Sequence, residues 1–396
     1  MRTPLGIRAG LVALAAVAVV AAVVRIAFRV VPDRVAMMKN PVAVRPPYPA
    51  SERARELHRE LLVVDLHADS LLWGRDLLVR AGHGHVDVPR LVEGGIALEV
   101  MAVSTQMPRR ANLDRNDDRT DDVTLLALAQ RWPPATWRSR LARALYLADR
   151  LREMAARSDG RLTVIGSVAD LDAYLARRAA DRSITAALLS IEGAHALDGD
   201  PANLDRVADA GFRMMSPTHF FDNAFGGSAH GIDKGGLTAA GRELISRMER
   251  RSMLVDVAHA SERTIDDVLS VATRPVIASH TGVRVAVDSI RNLADDQARG
   301  IAASGGVIGI GFWPTACGGA DPAAIAGSIV AAVRLAGVDH VGLGSDFDGG
   351  VPVPFDATGM VQLTDALIAE GFGDAEIGAI MGGNALRVLR ATLPAV

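Results

Sequence analysis

The order of apolar segments constrains this chain more than any other feature of its sequence. Eight short, almost continuously apolar segments follow residue 60, and helical patterns separate them. Strands buried on both faces of a parallel sheet have this composition, and their alternation with helices supplies the crossover connections. Eight such repeats predict an α/β fold, a (β/α)8 TIM-type barrel. The predicted strands are 61–67, 96–103, 184–193, 212–220, 253–259, 275–280, 306–312 and 340–349.

One connection in this predicted barrel is unusually long. The segment from Thr105 to Arg182, between the second and third strands, is too long for a single crossover. It contains the amphipathic pattern WRSRLARALYLADRLREMAARS, which predicts a long helix. We interpret the segment as a helical insertion in the barrel and not as a second domain.

The N-terminus is predicted to be separate from the barrel. Residues 1–32 contain an unbroken apolar run from Ala9 to Val24 between basic residues, and 33–50 form a proline-rich linker before a barrel domain at 51–396. The run is slightly shorter than a comfortable membrane span, and no small-residue cleavage site follows it. An uncleaved transmembrane helix is favoured over a cleaved signal segment, and a buried helix is the least favoured alternative.

This segment predicts a membrane-associated protein, although it leaves the orientation open. Basic residues after the run slightly outnumber those before it, which favours a cytoplasmic domain. Long C-terminal domains are nevertheless exported after such segments. We expect the catalytic domain to be extracytoplasmic.

Composition excludes several classes of protein. The chain has 43 basic and 46 acidic residues, so no overall field draws it to nucleic acid. Hydrophobic residues make up 49% of the chain, which excludes a disordered or collagenous protein. A single cysteine, Cys317, excludes an internal disulfide framework and a zinc site built mainly from thiolates.

Polar side chains follow most of the predicted strands at their carboxyl ends. A TIM-type barrel carries its chemistry at this end, where side chains from several strands converge. Four of the 10 histidines lie there together with carboxylates, which is more than chance placement would produce. These candidates are His67, Asp69, Glu192, His219, His259, His280, Asp346 and Asp348.

Imidazole and carboxylate groups without thiolates favour zinc or another divalent first-row metal. His67 and Asp69 are two residues apart on one strand face, so both can reach one ion, and His259 and His280 end neighbouring strands and could hold a second. Two close cations need a bridging anion. Some barrels use a modified lysine, but the only lysines, Lys39 and Lys234, end no strand, so we assign the bridge to Glu192.

The motifs HxD, SIEGAH, PTHF, DVAH, SHT and GLGSDFDG, in this order, resemble those of the membrane dipeptidase (renal dipeptidase) family of zinc peptidases, which are amidohydrolase-like barrels. The resemblance runs from about Leu62 to the C-terminus. It implies two zinc ions per chain, the first bound by His67 and Asp69, the second by His259 and His280, with Glu192 as the bridge. It also implies the remaining roles: His219 contacts the substrate carbonyl, Arg291 binds the substrate's C-terminal carboxylate, and Asp346 handles a proton or the substrate amine. A homodimer is expected from the same resemblance.

The expected reaction is hydrolysis of dipeptides, L-Xaa-L-Xaa or L-Xaa-D-Xaa, by a hydroxide that bridges the two zinc ions. Two departures from the family pattern leave the substrate profile open. Ala68 stands where many relatives have Asn, and Trp313 stands near the sequence position at which some relatives have a substrate-contacting tyrosine. The alternatives are another metal-dependent amide, β-lactam or lactone hydrolase on the same barrel, or an inactive membrane-tethered binding protein. Of the other histidines, His58 and His230 are predicted to be exposed, and His195 to support the loop after Glu192.

Overall fold

The computed structural model describes Leu14, Val19, Phe28 and residues 30–396. The predicted anchor, Ala9–Val24, therefore lies outside the described residues except for two positions. Within the described part of the chain, no helix combines the length and apolar character needed to cross a membrane. Residues 30–39 are helical and are called α1.

Eight parallel strands form a closed barrel in residues 30–396, and each of the eight predicted segments overlaps one of them, so the predicted fold class is confirmed. The strand at Val341–Leu343 pairs with the strand at Val63–Ala68 to close the ring, and the strand at Ile96–Ser104 pairs directly with the third barrel strand, Thr185–Glu192. The barrel strands are β1 Val63–Ala68, β2 Ile96–Ser104, β4 Thr185–Glu192, β5 Phe212–Met215, β6 Leu254–Asp256, β7 Val276–Thr281, β8 Ile308–Ile310 and β9 Val341–Leu343.

A ninth strand, β3 (Leu162–Val164), was not predicted from the sequence. It pairs with residues 185–187 of β4, below the point where β5 pairs with residues 189–191. Three residues are too short a run for a pattern of period two to be recognised. The strand lies in the insertion, which otherwise has the predicted helical character.

The insertion contains three helices. These are α4 (Asp122–Ala129), the predicted long helix α5 (Arg140–Arg157), and α6 (Val168–Ala180), which returns to the barrel. Arg143 of α5 is buried and joins the insertion internally, because its guanidinium donates to the carbonyls of Thr105 and Thr136 and pairs with Asp121.

The remaining helices surround the barrel or close its ends. Ser261 caps the N-terminus of α9 (Glu262–Val271), because its side chain accepts a hydrogen bond from the Thr264 amide. Their bounds are α2 Glu52–Glu60, α3 Val88–Glu93, α7 Asn203–Asp209, α8 Ala239–Arg250, α9 Glu262–Val271, α10 Asp295–Ala303, α11 Pro314–Cys317, α12 Pro322–Ala336, α13 Met360–Ala369, α14 Asp374–Gly378 and α15 Asn384–Thr392; a π-helical stretch, Ala379–Gly383, joins the last two.

Residues 41–49 of the predicted linker, 33–50, pack against the barrel domain. The Ala43 amide donates to the carbonyl of Val353, and the ring of Tyr48 packs edge-on against Phe355 at 6.2 Å. Burial raises the pKa of Tyr48 to about 12. These contacts join positions some 300 residues apart, so the local composition of the segment does not reveal them.

Candidate metal centre

The carboxyl end of the barrel gathers the side chains that the sequence singled out. His67 is the last residue but one of β1, Glu192 is the last residue of β4, and His280 is the last residue but one of β7. His259 and Asp346 follow β6 and β9 with left-handed backbone, at φ values of 62° and 60°. A non-glycine residue rarely adopts this conformation, and its presence at two site residues shows that the surrounding loops impose it.

Glu192 is the geometric centre of this cluster. Its Oε1 atom lies 3.6 Å from His67 Nε2, 2.9 Å from His259 Nε2 and 3.3 Å from His280 Nε2. Its other oxygen, Oε2, lies 3.0 Å from His219 Nε2. One carboxylate therefore contacts imidazoles from four strand ends.

The cluster divides into three overlapping groups of potential metal ligands. In each group the ligand atoms lie within 4.8 Å of one another, and every member is buried. The groups are His67, Glu192 and His280; Glu192, His219 and His259; and His67, Asp69 and Asp346. The structure thus brings together all five residues that the sequence assigns to metal. It also places His219 and Asp346 at ligand distance.

Buried ligand atoms without hydrogen-bond partners indicate that these residues fit a divalent cation. His67 Nε2 and Asp69 Oδ1 are buried and have no hydrogen-bond partner among the described residues. Buried polar atoms are rarely left unpaired, and nitrogen and oxygen donors of this kind are ligands of zinc and related metals. His259 Nε2 and His280 Nε2 lie 2.9 Å apart and are close enough to share one ion.

Two residues that the sequence interpretation missed fix the orientation of His280. Ser279 Oγ donates to Asp256 Oδ2 at 2.6 Å and accepts from His280 Nδ1 at 2.8 Å. This arrangement places the proton of His280 on Nδ1 and leaves the lone pair of Nε2 free for a metal. Both residues lie in motifs already noted, DVAH and SHT, so their positions close to the histidines were the only signal that the local sequence offered.

The electrostatics of the cluster also favour a cation. Burial raises the pKa of Glu192 well above its usual value and that of Asp346 to about 7. Burial lowers the pKa of His259 and His280 well below 6.5. At His67 burial acts in the same direction, but attraction by Glu192 and Asp69 prevails and raises the pKa to about 10. Strongly opposed shifts within one cluster are typical of functional sites.

Arg291 lies at the edge of the cluster. Its Nη2 donates to the His280 carbonyl at 2.7 Å and lies 3.1 Å from His259 Nε2. Its guanidinium carbon lies 5.5 Å from the ring centroid of Trp313, which is itself 5.9 Å from the His280 ring. Arg291 and Trp313 therefore form one wall of the site.

The prediction that His230 is exposed was wrong. The side chain is buried, its Nδ1 donates to the Leu113 carbonyl at 2.8 Å, and its ring lies 5.3 Å from that of His259. The reason is the path of the glycine-rich segment 221–237, because Ser228 Oγ donates to the His219 carbonyl and turns the segment back onto the site. The donor, Ser228, follows the PTHF motif by several residues, and the acceptor is the His219 carbonyl of that motif. The local sequence does not show that these two groups form a hydrogen bond.

Two other predicted roles can be compared with the structure. His195 is buried and stacks at 6.5 Å on His219, at an interplanar angle of 12°. Asp348, a candidate at the end of the eighth predicted strand, holds a loop: its carboxylate accepts from Ser70 Oγ and the His85 amide and pairs with Arg75.

Fold and cluster together define a class of protein, the metal-dependent hydrolases built on an α/β barrel. A model of the membrane dipeptidase family, peptidase family M19, matches residues 51–394. The chain belongs to this family and is a metallo-dipeptidase, a hydrolase of peptide bonds.

Two curated relatives match much of the chain. A Klebsiella pneumoniae protein described as an uncharacterized protein in the pqqA 5′ region is 34% identical over 256 residues, which are 61% of this chain and 92% of the relative. Dipeptidase tcpJ of Claviceps purpurea is 29% identical over 319 residues, 78% of this chain and 69% of the relative.

Solved structures have the same fold. Dipeptidase AC, a metallopeptidase of family M19, superposes with a TM-score of 0.70 at 26% identity over 85% of this chain and 99% of its own. A metallopeptidase from Rhodobacter sphaeroides, with a phosphinate mimic of the dipeptide L-Ala-D-Ala, superposes with a TM-score of 0.70 at 26% identity over 84% of this chain and 99% of its own.

Proposed function

We propose that this chain hydrolyses dipeptides, L-Xaa-L-Xaa and L-Xaa-D-Xaa, with two zinc ions at the carboxyl end of the barrel. The observation that carries the proposal is the position of Glu192, whose Oε1 lies within 3.6 Å of Nε2 in histidines assigned to both ions, His67 for the first and His259 and His280 for the second. A carboxylate in this position can bridge two ions. His67 and Asp69 would hold one of them, and His259 and His280 the other.

Zinc supplies two kinds of chemistry at such a site, namely polarisation of the scissile carbonyl and activation of water as a nucleophile near neutral pH. The chain itself excludes bulk water, since all the ligand side chains are buried. His219 would donate a hydrogen bond to the substrate carbonyl oxygen as negative charge develops there. Such donors contribute strongly in a site from which water is excluded.

Asp346 is suited to move the proton. Burial raises its pKa to about 7, so the carboxyl can take a proton from the attacking water and give it to the leaving amine near neutral pH. Its Oδ1 lies 4.0 Å from His67 Nε2, which places it at the edge of the predicted first metal position.

Arg291 would orient the substrate by its C-terminal carboxylate. A guanidinium binds a carboxylate through two parallel hydrogen bonds, which fixes the substrate's direction as well as its position. Selection of a free carboxylate near the reacting carbonyl restricts the enzyme to short peptides. The Rhodobacter sphaeroides relative with its L-Ala-D-Ala mimic supports a dipeptide with a D-residue at the second position.

The proposal is tested by metal analysis together with a substrate panel on the full chain. We expect about two zinc ions per chain and turnover of L,L- and L,D-dipeptides. One ion at full activity would contradict the bridging role of Glu192. Turnover of N-acylated amino acids, β-lactams or lactones without turnover of dipeptides would contradict the substrate assignment. Stoichiometric zinc without any turnover would indicate an inactive binding protein.

We also infer that the protein is membrane-associated through its N-terminal segment, with the catalytic domain extracytoplasmic. The apolar run from Ala9 to Val24 supports the attachment. A homodimer rests on the family resemblance alone. Flotation of the full chain with lipid vesicles tests the attachment, and the chain's presence only in the unfloated fraction would contradict it.

A further inference from the structure

Helix α4 of the insertion is apolar on its outer side as well as its inner side. Val123 and Ala127 are buried in the core, whereas Leu125 is 50% exposed and Leu128 39% exposed. A surface helix of a globular protein normally presents polar residues to water. The outward leucines therefore indicate a surface that does not face water alone.

The neighbouring turn extends this surface. Trp137 is 40% exposed, and its Nε1 donates to the Trp132 carbonyl at 3.0 Å. Arg143 ties the turn to α4, because its Nη2 contacts both the Trp137 carbonyl and Thr124 Oγ1. The exposed indole and the two leucines thus belong to one rigid unit.

The beginning of the described chain lies beside the same unit. The guanidinium of Arg131 lies 5.8 Å from the centre of the Phe28 ring, and Phe28 and Pro32 line a cavity of about 220 Å³ together with Trp132. Phe28 and Val31 are themselves exposed. We name the five residues Phe28, Val31, Leu125, Leu128 and Trp137 the insertion patch.

We infer the partner of the patch, a lipid surface, from the chain that precedes it. The apolar run ends at Val24, only four residues before Phe28, and four residues span at most about 14 Å. If the run is held in a bilayer, the insertion patch lies within reach of the lipid headgroups. Tryptophan is enriched at this interface, and Arg131 and Arg138, both exposed, can pair with anionic headgroups.

We propose that the insertion patch rests on the surface of the bilayer that holds the N-terminal segment. The partner is a lipid surface with anionic headgroups. The N-terminal segment would then tether the barrel to the membrane, and the insertion would fix the orientation of the barrel relative to it. This inference depends on the proposed membrane attachment and is independent of the dipeptidase activity.

Spin labels on the full chain test this arrangement. The chain has one cysteine, Cys317, which is buried, and burial raises its pKa to about 11, so a thiol-reactive label attaches selectively to an introduced surface cysteine. The test variant is Leu128→Cys. The matched control is Val285→Cys, an exposed apolar position after β7, which lies opposite β2 in the ring of eight strands.

Both variants are reconstituted in vesicles of phosphatidylcholine and phosphatidylglycerol, and collisions of the label with oxygen and with a water-soluble nickel complex are compared. We expect vesicles to reduce the accessibility of the label at 128 to nickel several-fold and to leave its accessibility to oxygen unchanged. The label at 285 should have the same accessibility to both reagents as in water. Equal nickel accessibility at both positions would overturn the proposal. So would a label at 128 that is shielded from both reagents, because that result indicates a protein neighbour.

Flotation of the same samples separates the two proposals. A chain that floats with the vesicles while position 128 stays fully accessible to nickel refutes the insertion patch and leaves the attachment intact. A chain that does not float refutes both. Dipeptide hydrolysis, measured in parallel, reports on the catalytic proposal alone.

Discussion

At the scale of single residues, the account depends on how Glu192 and Arg291 are placed. Glu192 is the last residue of β4, and its carboxylate lies 3.0 Å from His219 Nε2 and 2.9 Å from His259 Nε2, so imidazoles hold it in place. Arg291 has no such strand position and is held by the His280 carbonyl and the Trp313 ring. Substitutions of the two residues are therefore expected to have different effects, on metal content for Glu192 and on substrate binding for Arg291.

Glu192→Gln should lose metal and nearly all turnover. The amide keeps the shape of the side chain but offers no charge to bridge two cations, and even outer partners of metal ligands typically cost about 10–100-fold. Metal content and kcat measure the effect. Glu99→Gln is the matched control, since burial, reinforced by Asp65, raises the pKa of Glu99 well above its usual value and the amide resembles the neutral acid. Near-normal activity in Glu192→Gln would refute the bridge.

Arg291→Lys should raise KM for dipeptides by about 10–100-fold, because a charge-assisted pair with two bonds becomes a single contact worth about 1.5–3 kcal/mol less. The zinc content should stay unchanged. Arg284→Lys, at an arginine of the same loop that pairs with Glu262, serves as the control. If the wild type shows equal KM values for free and amidated dipeptides, the carboxylate-binding role is wrong.

At the scale of elements, the strands and the long insertion helix were predictable because their patterns are local. The eight barrel strands are apolar runs of adequate length, and α5 carries one buried stripe. β3 and the docking of residues 41–49 were not predictable, since the first is only three residues long and the second depends on Val353 and Phe355 far along the chain. The burial of His230 belongs to the same class, because its hydrogen-bond partner, the Leu113 carbonyl, lies in the insertion, far away in the sequence.

Asp222 fixes that return path and provides a test at this scale. Its carboxylate accepts the amides of Ser228, Ile232 and Asp233, and Gly231 lies too close to it to carry a side chain. Asp222→Ala should remove about 2–3 kcal/mol of local stability, at about 1 kcal/mol for each hydrogen bond.

The expected signs of this loss are faster amide hydrogen exchange over residues 221–237 and a raised KM at unchanged zinc content. Asp233→Ala, an exposed carboxylate of the same segment, should leave both unchanged. Unaltered exchange in Asp222→Ala would show that other contacts hold the segment.

His58 gives a pH-dependent test of how α2 is docked. The prediction that this side chain is exposed was wrong: it is buried, accepts from Thr364 Oγ1 at 2.8 Å through Nδ1 and donates to the Gly94 carbonyl at 3.0 Å through Nε2. Burial lowers its pKa below 6.5 in the folded protein. The unfolded chain therefore takes up the proton first, and the stability due to neutral His58 is present above pH 6.5 and lost as the pH falls below it.

In zinc-loaded protein, His58→Gln should be less stable than the wild type by about 1 kcal/mol at pH 8, since the glutamine reproduces the two hydrogen bonds only in part. The difference in free energy of unfolding should shrink as the pH falls from 6.5. Denaturant titrations at several pH values measure it. A difference that is constant over this range would show that His58 does not stay neutral in the fold.

At the scale of the whole molecule, closure of the barrel assembles the site. His67 and Asp346 are separated by most of the chain, yet pairing of β1 with β9 brings Nε2 and Oδ1 to 4.0 Å. This convergence was predictable, because every metal-ligand candidate lay at or just after the carboxyl end of a predicted strand and these ends meet at one face of a barrel. The support from Asp256 and Ser279 was not, since it depends on the exact pairing of β6 with β7.

The central claim is metal-dependent hydrolysis of dipeptides, and one measurement tests it most directly. Hydrolysis of L-Ala-L-Ala and L-Ala-D-Ala by the full chain is followed before chelation, after chelation and after zinc is returned. The account predicts that activity on at least one of them disappears with chelation and returns with zinc. Activity that survives complete removal of metal, or zinc-loaded protein that hydrolyses neither dipeptide, would contradict it.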